Sequence, residues 1–570
     1  MEKKVSRVES EKENSRYLRG NVGEQLAQDT ARFDDSVQNI LKFHGIYQQD
    51  DRDFRLQPTR QGREKRFIFM IRTKIPGGKI TAEQYLKMDE LADLYANKTL
   101  RITTRQDFQF HGVIKGNLKA TLRALNETII TTLGACGDIE RNVVTCPAPL
   151  ASRTRAKVQE YAREISDQLL PKTKAYHEIW LNGDNVYSGQ KEAEVEPLYG
   201  KTYLPRKFKI SIAFPGDNCV DIYAHDIGLV AVLEDDELAG FNVLVGGGLG
   251  MTHRRPETRP ILAKPLGYVS RDDILSVVEA IIKVQRDFGN RENRMRARMK
   301  YLIEERGIVW FYEEVKKHTG FELQPVREMK WDQTEDHLGW HEMGDGLLFH
   351  GIFVENGRIQ DGGSLRMKTG LRKLIETFKP EIRLSPQQNI LLAGIPPSRN
   401  VEFEALLKEY GIRRETEISN IERWSMACPA LPTCGLALTE GERVFPGLID
   451  DLEKTIAGFG LQDEKITVRM TGCPNGCARP YTSEIGLVGI GVNTYTLFVG
   501  GNFEGTRLNR VLLEKVKEIE IVRILAPILE AFRLNRSPGE RFGDFCNRKG
   551  IETLRELIRV DKKEKPDERE

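Results

Sequence analysis

Four cysteines near the C-terminal end carry the densest chemistry in this chain. Cys428 and Cys434 stand in Cys-Pro-Ala-Leu-Pro-Thr-Cys, and Cys473 and Cys477 in Cys-Pro-Asn-Gly-Cys. Thiolates at such spacings can converge on one soft metal centre, and four thiolates are the ligand set of a cubane iron–sulfur cluster. Zinc also takes four thiolates, usually from arms with two to four intervening residues. Here the arms enclose five and three, with 38 residues between the pairs. The prolines after Cys428 and Cys473 suit cluster loops, where rigid backbone shields inorganic sulfur. Spacing alone leaves a cluster, a zinc ion and no metal as open readings.

A second constellation is basic. Arg101, Arg105, Gln109 and His111 are expected along one strand and on one face of it. Arg72 and Arg141 lie in similar extended runs, and Lys207 and Lys209 share a strand face. Arg286, Arg291, Arg294, Arg296, Arg298 and Lys300 crowd the end of a helix and the segment after it. Such a run is often a solvated face. Strand faces in an α+β core tend to be buried, however, and buried cations need anions. No equally dense acidic strand face is apparent, so a bound polyanion would answer them. Gly246-Gly-Gly-Leu-Gly lacks the G-x-G-x-x-G pattern and no Walker lysine comes after it, so a nucleotide loop is not expected there. With no flavin or NADPH fingerprint elsewhere, redox work would draw its electrons from another chain.

The elements that must position these residues alternate short β-rich runs with amphipathic helices. Phe208 to Phe214 alternates with period two and predicts a strand. Thr81-Ala-Glu-Gln84 predicts a capping box, with Met88, Leu91, Leu94 and Tyr95 next at helical spacing. Ser270-Arg-Asp-Asp273 predicts a second helix start, with Ile274, Val277, Val278 and Ile281 on its inner face. An internal repeat links the two ends of the chain. Arg101 to Val113 aligns with Arg383 to Ile395 at an offset of 282 residues, which also sets Arg141 against Arg423 and Cys146 against Cys428. His225-Asp-Ile-Gly-Leu-Val aligns with Ser483-Glu-Ile-Gly-Leu-Val at an offset of 258, which sets Cys219 against Cys477. Ordered matches at two stable offsets imply a duplicated α+β unit, roughly 60–260 and 340–510, packed about a pseudo-two-fold axis with a crevice for a cofactor. The remaining cysteines, Cys136, Cys146, Cys219 and Cys546, are expected to be small buried apolar side chains, with Cys146 a relic of the duplication.

At 570 residues the chain has room for two to four domains. Its net charge of +2 gives no reason to expect nucleic-acid or polybasic membrane binding. No apolar run approaches a membrane span and no signal-peptide core is seen, so a cytoplasmic protein is expected. Residues 1–16 and 561–570 are charged and poor in apolar residues, and disorder is expected for both.

These residues resemble the sulfite/nitrite reductase family, in the branch of haemoprotein (beta) subunits that work with an NADPH-dependent flavoprotein. The likeness spans nearly the whole chain: Phe43-His-Gly-Ile-Tyr-Gln-Gln-Asp-Asp-Arg-Asp53, Arg72 to Gly78, Arg101 to Gly112, Leu204-Pro-Arg-Lys-Phe-Lys209 and both cysteine pairs. It implies an internally duplicated α+β fold of three lobes around the cofactors. The expected parts are an N-terminal, partner-binding arm (1–66), a ferredoxin-like repeat domain (67–134 plus 341–415), a sirohaem and substrate domain (135–340) and an iron–sulfur and sirohaem domain (416–560). The resemblance also implies a 4Fe–4S cluster on Cys428, Cys434, Cys473 and Cys477, with Cys477 also axial to a sirohaem iron. Sirohaem carries eight carboxylates, and Arg101, Arg105, Gln109, His111, Lys300 and Asn475 are the implied contacts. Arg72, Arg141, Lys207 and Lys209 match the family's anion-site positions. The implied reaction is the six-electron reduction of sulfite to sulfide, in sulfate assimilation for cysteine biosynthesis. Electrons would come from a flavoprotein (alpha) subunit bearing FAD and FMN and using NADPH, in a hetero-oligomer. A ferredoxin-dependent sulfite or nitrite reductase is the alternative, and Gln48 to Asp53 favours the flavoprotein-partnered branch.

Overall fold

The computed structural model describes residues 5–56, 65–172, 178–181, 184–188 and 196–564. The duplication is written in its sheets. One five-stranded sheet orders Ile46–Asp50, Phe67–Arg72, Phe108–Val113, Leu100–Ile102 and Arg358–Ile359, all antiparallel. Another orders Gly339–Glu342, Leu348–Ile352, Ile390–Ile395, Glu381–Leu384 and Lys79–Ile80, again all antiparallel. Position for position the two lists correspond, and each half donates the last strand of the other's sheet. The exchanged strands bury Ile80 and Ile359, each worth about 2 kcal/mol of apolar burial. The exchange also merges both sheets into one core, in which Ile71, Phe110, Ile382 and Leu392 lie together.

A second pair of sheets repeats the relation. Lys264–Ser270, Glu237–Val245, Ile227–Glu234, Phe208–Ala213 and Glu140–Thr145 join by two antiparallel and then two parallel pairings. Arg510–Lys517, Thr494–Val499, Ile485–Gly491, Val468–Thr471 and Ser425–Ala427 show the same sequence of pairings. Each has its own apolar core. The added hairpin Glu178–Leu181 with Asp184–Ser188 lies only in the first half, between the regions aligned at 282 and at 258, and helps to account for the change of offset.

Local chemistry explains several elements. Thr81 caps the helix Ala82–Tyr95 through the predicted box: its hydroxyl accepts from Gln84 N, and Gln84 Oε1 accepts from Thr81 N. Phe208–Ala213 is a strand, as its alternation predicts. The helix expected from Ser270 begins later, at Ile274–Phe288, because Ser270 ends a strand and its hydroxyl donates to the Asp273 carboxylate rather than capping. Arg101, Arg105, Gln109 and His111 do not share one strand. Thr103 to Asp107 turn back on themselves, with Thr103 Oγ1 accepting from Arg105 N and Asp107 N and Gln106 at φ 57°. Arg101 then pairs with Gln109 across the hairpin, and Arg105 sits in the turn. That turn carries no glycine, which is why the sequence reads as continuous.

Disorder is corrected at both ends. Arg7–Glu13 is a helix, and Lys12 is buried with its ammonium on Glu9, on the Leu204 carbonyl at 2.8 Å and 3.6 Å from Asp138. Arg294 grips the same Asp138 with both Nη atoms at 2.7 and 3.0 Å. Burial would raise the Asp138 pKa, but Lys12, Arg294 and Arg206 hold it well below the usual carboxylate range. At the other end the helix Ile551–Glu564 continues through 561–564, seated by Leu554 and Ile558; residues 1–4 and 565–570 lie outside the described residues. No helix among the described residues is long and apolar enough to cross a membrane. Replacing Lys12 by Met is expected to cost about 3 kcal/mol, as for other broken buried pairs, read as a lower urea midpoint. An unchanged midpoint would mean that the N-terminal helix adds nothing to the fold.

Candidate active site

The two cysteine loops leave the C-terminal ends of parallel strands. Ser425–Ala427 runs into Cys428, and Val468–Thr471 runs into Cys473. Cys428 N donates to Met470 O at 3.1 Å, and Gly472 N donates back to Cys428 Sγ at 3.3 Å. Cys473 Sγ accepts from Asn475 Nδ2 at 3.4 Å. Cys428 and Cys473 are buried, Cys434 half-buried and Cys477 exposed. Met426, Ala430, Ala437, Ala478 and Leu431 form an apolar wall around Cys428 and Cys434. Burial pushes the Cys428 thiol up, and Cys477, Cys473 and Cys434 push it further, so the four sulfurs share one neighbourhood. Among the described residues they are not a set whose ligand atoms all lie within 4.8 Å of one another.

Cys477 opens onto a cleft. Its walls are Thr104 and Arg105 from the hairpin turn, Lys207 and Lys209 from the strand Phe208–Ala213 and its approach, His225, Gly250, Arg298, and the Asn475 to Arg479 loop. Five cations and no carboxylate face it. Carboxylates hold two of them: Asp226 takes Arg298 at 3.1 and 2.8 Å, and Asp221, which also takes Arg469 at 2.9 Å, takes Arg479 at 2.6 Å. Arg105 is anchored by His225 Nδ1 at 3.0 Å and by the carbonyls of Ile210 and Asn142, yet its Nε has no partner. Arg479 Nη1 is likewise buried and unpartnered. Burial, with the neighbouring cations, pushes Lys207 down to about 7 and Lys209 well below the usual range; burial pushes Arg105 down to about 10. The two lysine shifts report positive charge crowded together and withdrawn from water, whereas that of Arg105 is the effect of burial, opposed by Asp107 and Glu140.

Backbone geometry keeps the cleft open. The Gly246–Gly250 segment, not a nucleotide loop by its pattern, lends Leu249 and Gly250 to one wall. A Cβ on Gly247 would lie 2.3 Å from the Tyr223 and His225 carbonyls, and one on Gly250 would press the Asn475 carbonyl at 3.1 Å. Lys300 braces this wall by donating to the Gly248 and Gly250 carbonyls at 2.8 and 2.9 Å and to that of Arg259. Of the basic candidates, Arg105, Lys207 and Lys209 line the cleft together with Asn475 and Cys477. With the Gln109 amide oriented to present its oxygen, Arg72 donates to it at 3.2 and 2.5 Å, and Arg141 donates to Gly137 O at 3.4 and 3.2 Å. Arg101 donates to Glu442 at 2.9 Å and to Ala427 O at 2.9 Å, beside Cys428. His111 meets Arg358, which shares Glu442.

Sequence reasoning missed several participants. Arg479, His225, Glu442 and Arg358 carry no motif of their own, although Arg479 lies two residues past Cys477. The acids absent from strand faces arrive instead from loops and distant segments. Cys146 and Cys219 are also not isolated apolar side chains, because they lie together with Asp217 and His337.

Known proteins agree with this frame. The model of the nitrite and sulphite reductase 4Fe-4S domain matches residues 160–323 and 422–566, and that of the nitrite/sulfite reductase ferredoxin-like half domain matches 60–128 and 341–410. A protein of Staphylococcus haemolyticus (strain JCSC1435), named sulfite reductase (NADPH) hemoprotein beta-component, is 45% identical over 552 residues, covering 97% of this chain and 96% of its own. One of the same name from Methylorubrum populi is 47% identical over 540 residues, covering 94% and 88%. The solved structure of the Mycobacterium tuberculosis NirA protein superposes with a TM-score of 0.80 at 24% identity over 97% of this chain and 98% of its own, a likeness of fold. The chain belongs to the nitrite and sulfite reductase family.

Proposed function

We propose that this chain reduces sulfite to sulfide, with six electrons, at a sirohaem coupled to a 4Fe–4S cluster. The observation that carries the reading is the cleft itself: five inward cations, two with unpartnered buried donors, beside an exposed cysteine whose neighbours are three more thiols. That donor set fits a polycarboxylate macrocycle with a sulfur-ligated iron. Cys428, Cys434, Cys473 and Cys477 would hold the cluster, and Cys477 would also ligate the sirohaem iron. When bound, the two groups supply the electron path and the iron at which sulfite is reduced.

The chain's own residues supply charge, orientation and protons. Arg105, Arg298, Arg479 and Asn475 line the cleft and would meet the macrocycle, with Lys300 bracing the loop behind them. Arg101, Gln109 and His111 would act at its rim, through the ties to Glu442, Arg72 and Arg358. Arg72, Arg141, Lys207 and Lys209 would bind the oxyanion, guanidinium pairing two oxygens and each ammonium a single one. Converting sulfite to sulfide consumes six protons with six electrons and releases three waters, so a proton source must stand at the anion. Lys207, pushed down to about 7, is poised to give a proton and regain it near neutrality. Fixed positive charge also favours the departing oxygen more than the bound anion. The relatives' printed name, a beta-component, supports a partner subunit, which we assign as an NADPH-dependent flavoprotein.

The purified chain, assayed with sulfite and nitrite under a common artificial donor, should release sulfide faster than ammonia. Turnover with reduced ferredoxin but not with a flavoprotein reductase and NADPH would overturn the partner. Cys434→Ser should lose cluster iron, and Lys209→Ala should lower sulfite turnover about 10²-fold with sirohaem content retained; loss of haem at unchanged turnover per haem would refute the lysine's role. Lys207 faces Arg141, Arg298, Arg206 and Cys477, with Lys209, Arg105 and His225 across the same cleft. Because its ammonium must be protonated to act, kcat/KM should fall about tenfold per pH unit above its pKa, which bound carboxylates raise from the value of the bare cleft. Lys207→Arg should carry that limb upward, and a limb unmoved in the variant would exclude Lys207 as the titrating group.

A further inference from the structure

Cys146, Asp217, Cys219 and His337 present one ligand atom each, all four within 4.8 Å of one another and all buried. Three edges of the figure they form are known: Cys146 Sγ to His337 Nε2 3.5 Å, Cys146 Sγ to Asp217 Oδ2 3.9 Å, and His337 Nε2 to Asp217 Oδ2 4.0 Å. A tetrahedral zinc with bonds of about 2.0–2.3 Å needs ligand separations of about 3.4–3.8 Å. The first of these separations falls inside that range, and the other two exceed it by about 0.1 and 0.2 Å. Cys146 Sγ is the hub of the set, donating toward Asp217 Oδ2 and lying within hydrogen-bond reach of His337 Nε2, whereas the Asp217 Oδ2 to imidazole distance is too long for a hydrogen bond.

The surroundings are built for such a site. Asp217 Oδ1 accepts from Cys219 N at 3.0 Å and Glu335 N at 3.2 Å, which turns Oδ2 toward the sulfurs. His337 is held at φ 58° between Asp336, paired with Arg423 at 2.8 and 3.0 Å, and Gly351, where a Cβ would lie 1.8 Å from the His337 carbonyl. Arg155 Nη1 lies 3.4 Å from Cys146 Sγ. Two thiolates, a carboxylate and a neutral imidazole around a divalent ion leave one negative charge, which this guanidinium balances. Cys146 also lines a cavity of about 390 Å³, a route for an ion to a buried set.

The duplication says where this set came from. Cys146 aligns with Cys428 and Cys219 with Cys477, whereas Cys434 and Cys473 fall opposite Ser152 and Pro215 at the same offsets. Half of the thiolate set survives in the first repeat, and Asp217 and His337 complete it with harder ligands. We infer that Cys146, Asp217, Cys219 and His337 form a closed, structural site for one zinc ion, distinct from the cluster loops. Two sulfurs, a nitrogen and an oxygen in four positions favour zinc, and four protein ligands leave no open position for catalysis. Binding displaces the thiol protons and ties the segment around His337 to the first repeat.

Metal analysis of the holoenzyme, purified after growth with zinc, tests this. About one zinc per chain is expected beside the iron, falling below about 0.2 in Cys219→Ala and in His337→Ala while sirohaem absorbance per chain holds. Zinc below that level in the unaltered protein, or zinc retained in both variants, would overturn the site. Zinc K-edge absorption on the unaltered holoenzyme keeps the test independent of variant folding: two sulfur and two nitrogen or oxygen neighbours are expected, and a sulfur-free shell would refute it. So would a Cys146–Cys219 disulfide in the mass of the freshly isolated chain.

Discussion

Crowded, buried positive charge is the constraint that shapes this molecule. Arg105, Lys207, Lys209, Arg298 and Arg479 converge on one cleft, and like charges withdrawn from water repel strongly. Carboxylates answer two of them. Asp226 holds Arg298, and Asp221 holds Arg469 and Arg479. Farther out, Glu442 joins Arg101 to Arg358, and Asp138 joins Lys12 to Arg294. Such pairing orients the groups it joins. The arrangement leaves positive charge for an anionic ligand to answer, the role proposed for the sirohaem carboxylates.

Symmetry supplies the rigid frame. Each half lends a strand to the other's antiparallel sheet, so neither half can shift without breaking main-chain hydrogen bonds in both. The parallel-ended sheets then deliver their loops from equivalent strand ends: Cys146 comes after Glu140–Thr145 as Cys428 comes after Ser425–Ala427. Identical frames carry different ligand sets because loops change composition without disturbing the sheets beneath. In the second repeat four thiols share one neighbourhood; in the first, two thiols meet a carboxylate and an imidazole.

Much was legible where the signal is local. The Thr81 box, the alternation of Phe208–Ala213 and the apolar stripe of Ile274, Val277, Val278 and Ile281 all rest on contacts within a few residues. The hairpin between Arg101 and Gln109 escaped notice because its turn is made by side-chain hydrogen bonds from Thr103 rather than by glycine. The N-terminal helix escaped for a related reason. Its charged composition reads as solvated, but Glu9 and Lys12 are buried against partners 282 and 192 residues away.

Taken alone, the sequence determined the duplication, the two cysteine loops and the basic residues, since each is a pattern of residue type and interval. Which acid meets which arginine was decided only in three dimensions. Glu442 reaches Arg101 across 341 residues, and Asp221 reaches Arg469 across 248. The same holds for Cys146, whose repeat partner is visible in the sequence but whose contact with His337, 191 residues on, is not. Coulombic pairing and ligand convergence depend on distance through space, and interval along the chain measures that distance only within a helix turn, a hairpin or a loop.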